Sequence, residues 1–146
     1  MHEVVKGRFS VSSDPEKLDF DMIHSFLTDS YWAKGISRDK VLRCVKHSLS
    51  FGMYDGDKQI GFARVITDFT RFAYLADVFI LESYRNQGLA SWLIECILAH
   101  PDLKSTTGWI LATKDAHHLY SKFGFQPLSE PSRFMQLPKR NVELPQ

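Results

Sequence analysis

The feature that most constrains this chain is a change of hydrophobic period at one point. Ala76-Asp77-Val78-Phe79-Ile80-Leu81 is an apolar run with β-branched members, and it stops at the polar stretch Glu82-Ser83-Tyr84-Arg85-Asn86-Gln87-Gly88. A helical pattern starts at once, with Leu89, Trp92, Leu93 and Ile97 on one stripe and Ala90, Ile94 and Leu98 beside them. The segment therefore reads as a strand, a turn and a helix. The turn has the form Arg-x-x-Gly-x-Ala across Arg85, Asn86, Gln87, Gly88, Leu89 and Ala90. Such a turn presents successive backbone N–H groups at a helix N-terminus, where unpaired donors and the positive dipole end suit a pyrophosphate. Gly88 has no Cβ, so a phosphate oxygen can come close to the backbone. A P-loop would need Gly-x-x-x-x-Gly-Lys followed by Ser or Thr, and a dinucleotide fingerprint would need three glycines in one βαβ unit; the chain has neither.

The remaining elements follow from turn and capping signals. A first strand is expected at 8–12, and a helix at 16–28 that Asp14 caps and Pro15 opens. Ser37 caps a second helix at 38–48. Two strand-like runs, 49–54 and 59–67, flank Asp55-Gly56-Asp57 and predict a hairpin. A further turn near 68–71 leads into the strand 72–81, so three antiparallel strands feed the phosphate turn. After a helix at 88–99, Pro101-Asp102 breaks the pattern and a strand at 108–113 follows by a crossover, hence parallel to 72–81. A helix at 115–123 and a final strand near 132–137 complete a mixed α/β sheet. At 146 residues, with no linker or repeat, residues 1–146 read as a single domain with a proper core.

A second block gives the phosphate turn its meaning. Trp109-Ile110-Leu111-Ala112-Thr113 reads as a strand, followed by Asp115-Ala116-His117-His118-Leu119-Tyr120-Ser121-Lys122-Phe123-Gly124-Phe125, a short helix ending at glycine. The two blocks in this order resemble the GNAT superfamily of acetyl-CoA-dependent N-acetyltransferases. Its pyrophosphate loop is Arg or Gln-x-x-Gly-x-Gly or Ala, and its later element is Ala-x-x-Leu-Tyr-x-Lys-x-Gly-Phe. The resemblance covers residues 50–137. It implies a mixed, mostly antiparallel sheet with flanking helices and splayed parallel central strands.

It also implies a site. Residues Arg85 to Ala90 would hold the pyrophosphate of acetyl-CoA, and Val78, Phe79 and Ile80 would offer the backbone edge that pairs with the pantetheine arm and polarises the thioester carbonyl. Thr113 stands where many members have an asparagine that contacts that arm. Tyr120 matches the family's tyrosine near the sulfur, and a phenol with a reference pKa near 10 is protonated at neutral pH, as a proton donor must be. Its alternative role is a core tyrosine on a packed helix. Asp77, a carboxylate amid apolar neighbours, is the candidate base; it reads equally as a structural hydrogen-bond acceptor. His117 and His118 are weaker relay candidates. On the acceptor side the resemblance points to Tyr31, Trp32, Arg64 and Tyr74, with Arg38 and Phe72 behind them.

Composition narrows the partners. A net charge of +1 gives no drive toward nucleic acid or an anionic membrane, and no apolar stretch reaches the length of a membrane span. The polar N-terminus lacks a signal-peptide core, and two cysteines in helical patterns suit a cytoplasmic protein with free thiols. Cys44 with His47 and Cys96 with His100 offer only two ligands per pair, so no metal is expected. The expected acceptor is a small-molecule or peptide amine. Edge strands allow a homodimer without requiring one. The competing class is a non-catalytic acyl-CoA-binding regulatory module, which keeps the phosphate turn and lacks turnover.

Overall fold

The computed structural model describes residues 1–145, which fall into two units, Met1–Ala112 and a second that begins at Thr113. The first unit carries six strands: β1 (Glu3–Lys6), β2 (Phe9–Ser12), β3 (Leu49–Asp55), β4 (Lys58–Thr67), β5 (Ala73–Ile80) and β6 (Trp109–Leu111). They form one sheet in the order β1-β2-β3-β4-β5-β6, antiparallel throughout except for the parallel pair β5–β6. This is the mixed, mostly antiparallel architecture the sequence predicts. Its first hairpin is an addition: Gly7, at φ 62°, lets the chain before Phe9 fold back as β1.

The helices form where caps and apolar stripes agree. The helix expected at 16–28 is split. Asp14 accepts from the Glu16 N–H and opens only a 3-10 turn at Pro15–Lys17, while Asp19 accepts from the Met22 N–H and caps α1 (Phe20–Asp29). Ser37 caps α2 (Arg38–Lys46) through the Lys40 N–H, as expected. Ile23 and Leu27 of α1 and Val41 and Val45 of α2 join Leu18 in one buried cluster against Phe62 of β4 and Phe79 of β5. Each fully buried side chain of this kind contributes about 1.5–3 kcal/mol. Phe26 stacks flat on Phe79 with ring centroids 3.8 Å apart, which ties α1 to the strand that leads into the phosphate turn. Helix α3 (Leu89–Leu98) buries Leu93, Ile94 and Ile97 completely. No helix among the described residues is long and apolar enough to cross a membrane.

The second unit contains α4 (His117–Ser121) and a 3-10 turn at Pro131–Arg133. The strand expected near 132–137 is not formed. Phe134, Met135 and Leu137 are 55%, 97% and 75% exposed, and Pro131 and Pro138 flank them without N–H donors to give a ladder.

A buried histidine locks the first strand to the end of α3. His100 Nδ1 accepts from the Asp102 N–H at 3.1 Å, so the ring proton sits on Nε2 and is donated to Ser13 Oγ, 3.1 Å away. Ser13 Oγ also accepts from the His2 N–H at 3.0 Å, which fixes the chain just before β1. Burial pushes the His100 pKa below 6.5; Asp102 opposes this, and His2 and the N-terminal ammonium reinforce it. A histidine depressed in the fold stabilises the protein fully above the unfolded value and loses that contribution as the pH falls below it. Stability should therefore drop as the pH goes from 7.5 to 5, read as the melting temperature. His100→Gln should be less stable at pH 7.5 and show a flatter pH profile. A wild-type slope retained in the variant would assign the effect to other groups.

Candidate active site

The turn after β5 is built to leave a helix end open. A 3-10 turn at Glu82–Tyr84 follows the strand, Asn86 takes φ 64°, and Gly88 takes φ 77° in the left-handed region. Gly88 is the N-cap of α3, and no side chain caps that end, whereas Asp19 and Ser37 cap α1 and α2. The Trp92 N–H donates to Gly88 O at 3.1 Å, which starts the helical ladder and leaves the N–H groups of Leu89 and Ala90 at the helix end. A Cβ placed on Gly88 would meet nothing within 4 Å, which means open space lies over this end. Arg85 turns back and donates through Nε to Ile80 O at 3.0 Å, bracing the turn from within. Tyr84 donates to Asp55 Oδ2 at 2.7 Å, anchoring the turn to the β3–β4 hairpin.

Strand β5 is paired along only part of one edge. β6 meets it at Ala73↔Trp109, Tyr74↔Ile110 and Leu75↔Leu111, and the pairing ends there. From Ala76 to Ile80 that edge has no strand partner among the described residues, which is the splaying of parallel strands expected above. Val78, Phe79 and Ile80 lie in this open stretch. On the other edge the register with β4 shifts, because Phe62 pairs with Phe79 while Arg64 pairs with Ala76. Two residues of β5, Asp77 and Val78, thus oppose one of β4, and Asp77 sits at φ 55°. This is a β-bulge, and aspartate is among the few residues that tolerate the left-handed region.

The bulge turns the Asp77 carboxylate into a hydrogen-bonded cluster. Arg64 Nε donates to Asp77 Oδ2 at 2.5 Å, and Trp32 Nε1 donates to Asp77 Oδ1 at 2.8 Å. The Arg64 and Asp77 side chains are only 15% and 12% exposed. Arg64 Nη1 also donates to Ser48 Oγ at 3.0 Å, and Ser48 donates to Cys44 O at 2.6 Å. Trp32 touches Tyr31 edge-on, at 5.1 Å between centroids, and Phe26 at 6.3 Å. Tyr74 pairs with Ile66, two residues beyond Arg64, so it lies on the same face of the sheet as Arg64. Among the described residues no group of three or more His, Cys, Asp or Glu side chains is placed to hold a metal ion.

Residues 46–127, which include the open turn and the bulged strand, match the family model described as acetyltransferase (GNAT) domain. The chain belongs to the GNAT family of acetyltransferases. A GNAT-family protein of Xanthomonas campestris pv. campestris has a solved structure that is 43% identical, with a TM-score of 0.85 over 92% of this chain and 93% of that one. A Gibberella zeae protein whose name gives acetyltransferase as an undemonstrated activity is 28% identical, across 80% of this chain and 78% of its own. A Clostridium acetobutylicum protein described as a predicted acetyltransferase with acetyl-CoA shares the fold at a TM-score of 0.66 and 15% identity, over 88% of this chain and 95% of that one.

In this GNAT protein Trp32 and Arg64, singled out on the acceptor side, bond Asp77 directly, and Tyr31 touches the Trp32 ring. Phe26 and Ser48 belong to the same cluster and were not foreseen. Their signal was faint, because an apolar residue on a helical stripe and a serine before a strand are common core and capping choices. Arg38 is engaged elsewhere, in an exposed ion pair with Asp21, and Phe72 is 47% exposed on the β4–β5 turn. In the second unit, Thr113 Oγ1 accepts from the Ala116 N–H at 3.1 Å and so orders the entry to α4. Tyr120 is buried, with its ring edge-on to Phe125 at 5.9 Å, while His117 and His118 are exposed. The free thiol of Cys96 is buried, which pushes its pKa up to about 11 and disfavours the thiolate.

Proposed function

We propose that this protein is an N-acetyltransferase that moves the acetyl group of acetyl-CoA to a primary amine of a small molecule or peptide by direct attack on the thioester. The observation that carries this reading is the uncapped N-terminus of α3, with a left-handed Gly88 and open space above it, at the end of a strand whose edge is unpaired. Uncapped donors at a helix end suit the diphosphate of the donor, and an unpaired strand edge suits an amide-bearing arm. Arg85, Asn86, Gln87, Gly88, Leu89 and Ala90 bind the pyrophosphate. Val78, Phe79 and Ile80 bind the pantetheine arm, and a backbone N–H there polarises the carbonyl. Thr113 is assigned to the same arm by its position in the motif.

In the proposed step the amine nitrogen attacks the thioester carbonyl carbon, an N–C bond forms and the C–S bond breaks. The sulfur leaves as thiolate and takes a proton from the Tyr120 hydroxyl. The amine proton passes to Asp77, whose two oxygens each accept one hydrogen bond and keep a further lone pair. Solvent then restores both groups. Tyr31, Trp32, Arg64 and Tyr74 line the acceptor side.

Acetyl-CoA should raise the melting temperature by mass action. Gly88→Glu sets a carboxylate at the helix end where the pyrophosphate belongs, and forces a side chain into a left-handed position. The variant should fold and lose the ligand-induced shift. A full shift in the variant would remove the phosphate-loop assignment. Release of CoA thiol across a panel of amines separates an enzyme from a non-catalytic acyl-CoA-binding module, which would give the thermal shift without turnover.

A further inference from the structure

The Asp77 cluster opens onto bare aromatic surface. Tyr31 and Trp32, side by side on the chain between α1 and α2, are 58% and 36% exposed, and their rings meet edge-on at an interplanar angle of 80°. Trp32 is not loose. The one donor of its side chain, the indole N–H, bonds Asp77, and its ring leans on Phe26. The exposed part of that ring is therefore fixed in place and apolar. On the sheet, Ile66 and its cross-strand partner Tyr74 continue the face that carries Arg64, and Ile66 is 41% exposed. Two rings set near right angles form a corner that fits a third flat ring, stacked on one and edge-on to the other. The charges of the cluster are matched, because Arg64 and Asp77 neutralise each other. It leaves no carboxylate over for a second ammonium and no cation for a carboxylate.

We propose that the acceptor is an arylalkylamine, a single primary amine joined through a short saturated chain to a flat aromatic ring. The ring sits in the corner of Tyr31 and Trp32 and the amine reaches Asp77, which Trp32 itself bonds, so the corner and the proton acceptor adjoin. The inference rests on the acetyltransferase reading above and narrows its acceptor. Transfer gives the N-acetyl amide and the free thiol of CoA, with the amine proton taken up by Asp77 as already described. Tyr31 and Trp32 thereby set specificity. An aromatic ring gains more in the corner than a saturated ring of the same size, and before it is deprotonated the ammonium is attracted to the Trp32 face. A second charge would have to be desolvated there without a partner.

The test is kcat/KM at saturating acetyl-CoA, read by thiol release, for 2-phenylethylamine, 2-cyclohexylethylamine, L-phenylalanine and spermidine. The first should be the best of them. The saturated ring has the same reach and should be about three- to tenfold worse, because it cannot stack. Phenylalanine adds a carboxylate and spermidine adds cations, and each should be at least about tenfold worse. Replacing both rings, Tyr31→Leu with Trp32→Leu, keeps apolar bulk and should bring the phenyl and cyclohexyl amines within about twofold by weakening the phenyl one. Tyr31→Leu alone leaves the bonds to Asp77 in place and should reduce that preference at least about twofold. It decides the question if the double variant does not fold. Equal rates for the two rings in the wild type, or a preference that survives these substitutions, would overturn the proposal and leave the enzyme reading standing. A better rate for spermidine, phenylalanine or an amine without a ring would do the same. A wild type that releases no thiol with any amine of this or the wider panel would overturn both readings together.

Discussion

Tyr120→Phe should lower kcat for acetyl transfer by about 10²–10⁴-fold, the scale of a positioned general acid. The substitution removes one oxygen and keeps the ring, including its edge-on contact with Phe125. Folding and affinity for acetyl-CoA should therefore change little, and KM for the donor should stay near the wild-type value. The loss belongs to kcat because a proton donated to the departing thiolate is an interaction made only as the C–S bond breaks. If Tyr120 serves only to fill the core, the phenylalanine variant turns over at the wild-type rate. Pre-steady-state measurement on a confirmed acceptor decides the matter, since it shows whether chemistry limits turnover. Equal single-turnover rates would take Tyr120 out of the mechanism. A leaving group that needs less help should narrow the gap between the two proteins, a dependence that a packing defect would not show.

Asp77→Ala should be the most damaging single change at the bulge, for two reasons that add. The nearly buried Arg64 guanidinium would lose its counter-charge, and breaking such a pair from one side costs about 3 kcal/mol, at the low end for a buried pair because some solvent reaches it. Alanine must also adopt φ 55°, which costs roughly 1 kcal/mol or more for a residue with a Cβ and no side-chain compensation. Together these predict a fall in melting temperature on the order of 10 °C for a chain of this size. Asp77→Asn separates the terms, since asparagine tolerates the left-handed region and still accepts from Trp32, so it should avoid the backbone cost and lose the charge together with the bond from Arg64. Arg64→Leu combined with Asp77→Ala should be less damaged than the sum of the single changes, because no unpaired charge remains. Additive losses in that cycle would mean the pair contributes nothing beyond its two backbones. Amine transfer should fall in Asp77→Asn if the carboxylate receives the proton, even where the protein is folded.

The contrast between Gly88 and Asp77 shows what was legible in the chain. The end of β5, the left-handed Gly88, the start of α3 and the Ser37 cap all depend on residues within a few positions of each other. Sterics, capping and hydrophobic period act over that range, so the passage from strand through turn to helix could be read directly. The family motif around Tyr120 was legible for the same reason. Where local signals competed, reading failed by small steps: Asp14 and Asp19 both offer a cap, and the choice between them moved the start of α1 to Phe20. The apolar residues near 134–137 look like a strand in isolation, but a strand needs a neighbour to pair with.

The bulge at Asp77 belongs to the other kind of information. Its carboxylate is held by Trp32, 45 residues earlier, and by Arg64, 13 residues earlier on the adjacent strand. Nothing within reach of Asp77 along the chain announces either partner, and the register shift that aims it exists only once β4 and β5 have paired. The sequence by itself determined the strand, turn and helix from β5 into α3, the cap of α2 and the family motif, because short-range backbone and packing preferences encode them. The tertiary structure alone decided what Asp77 bonds to and how the first hairpin pairs, because these are set by strand register and chain crossings that no local preference specifies.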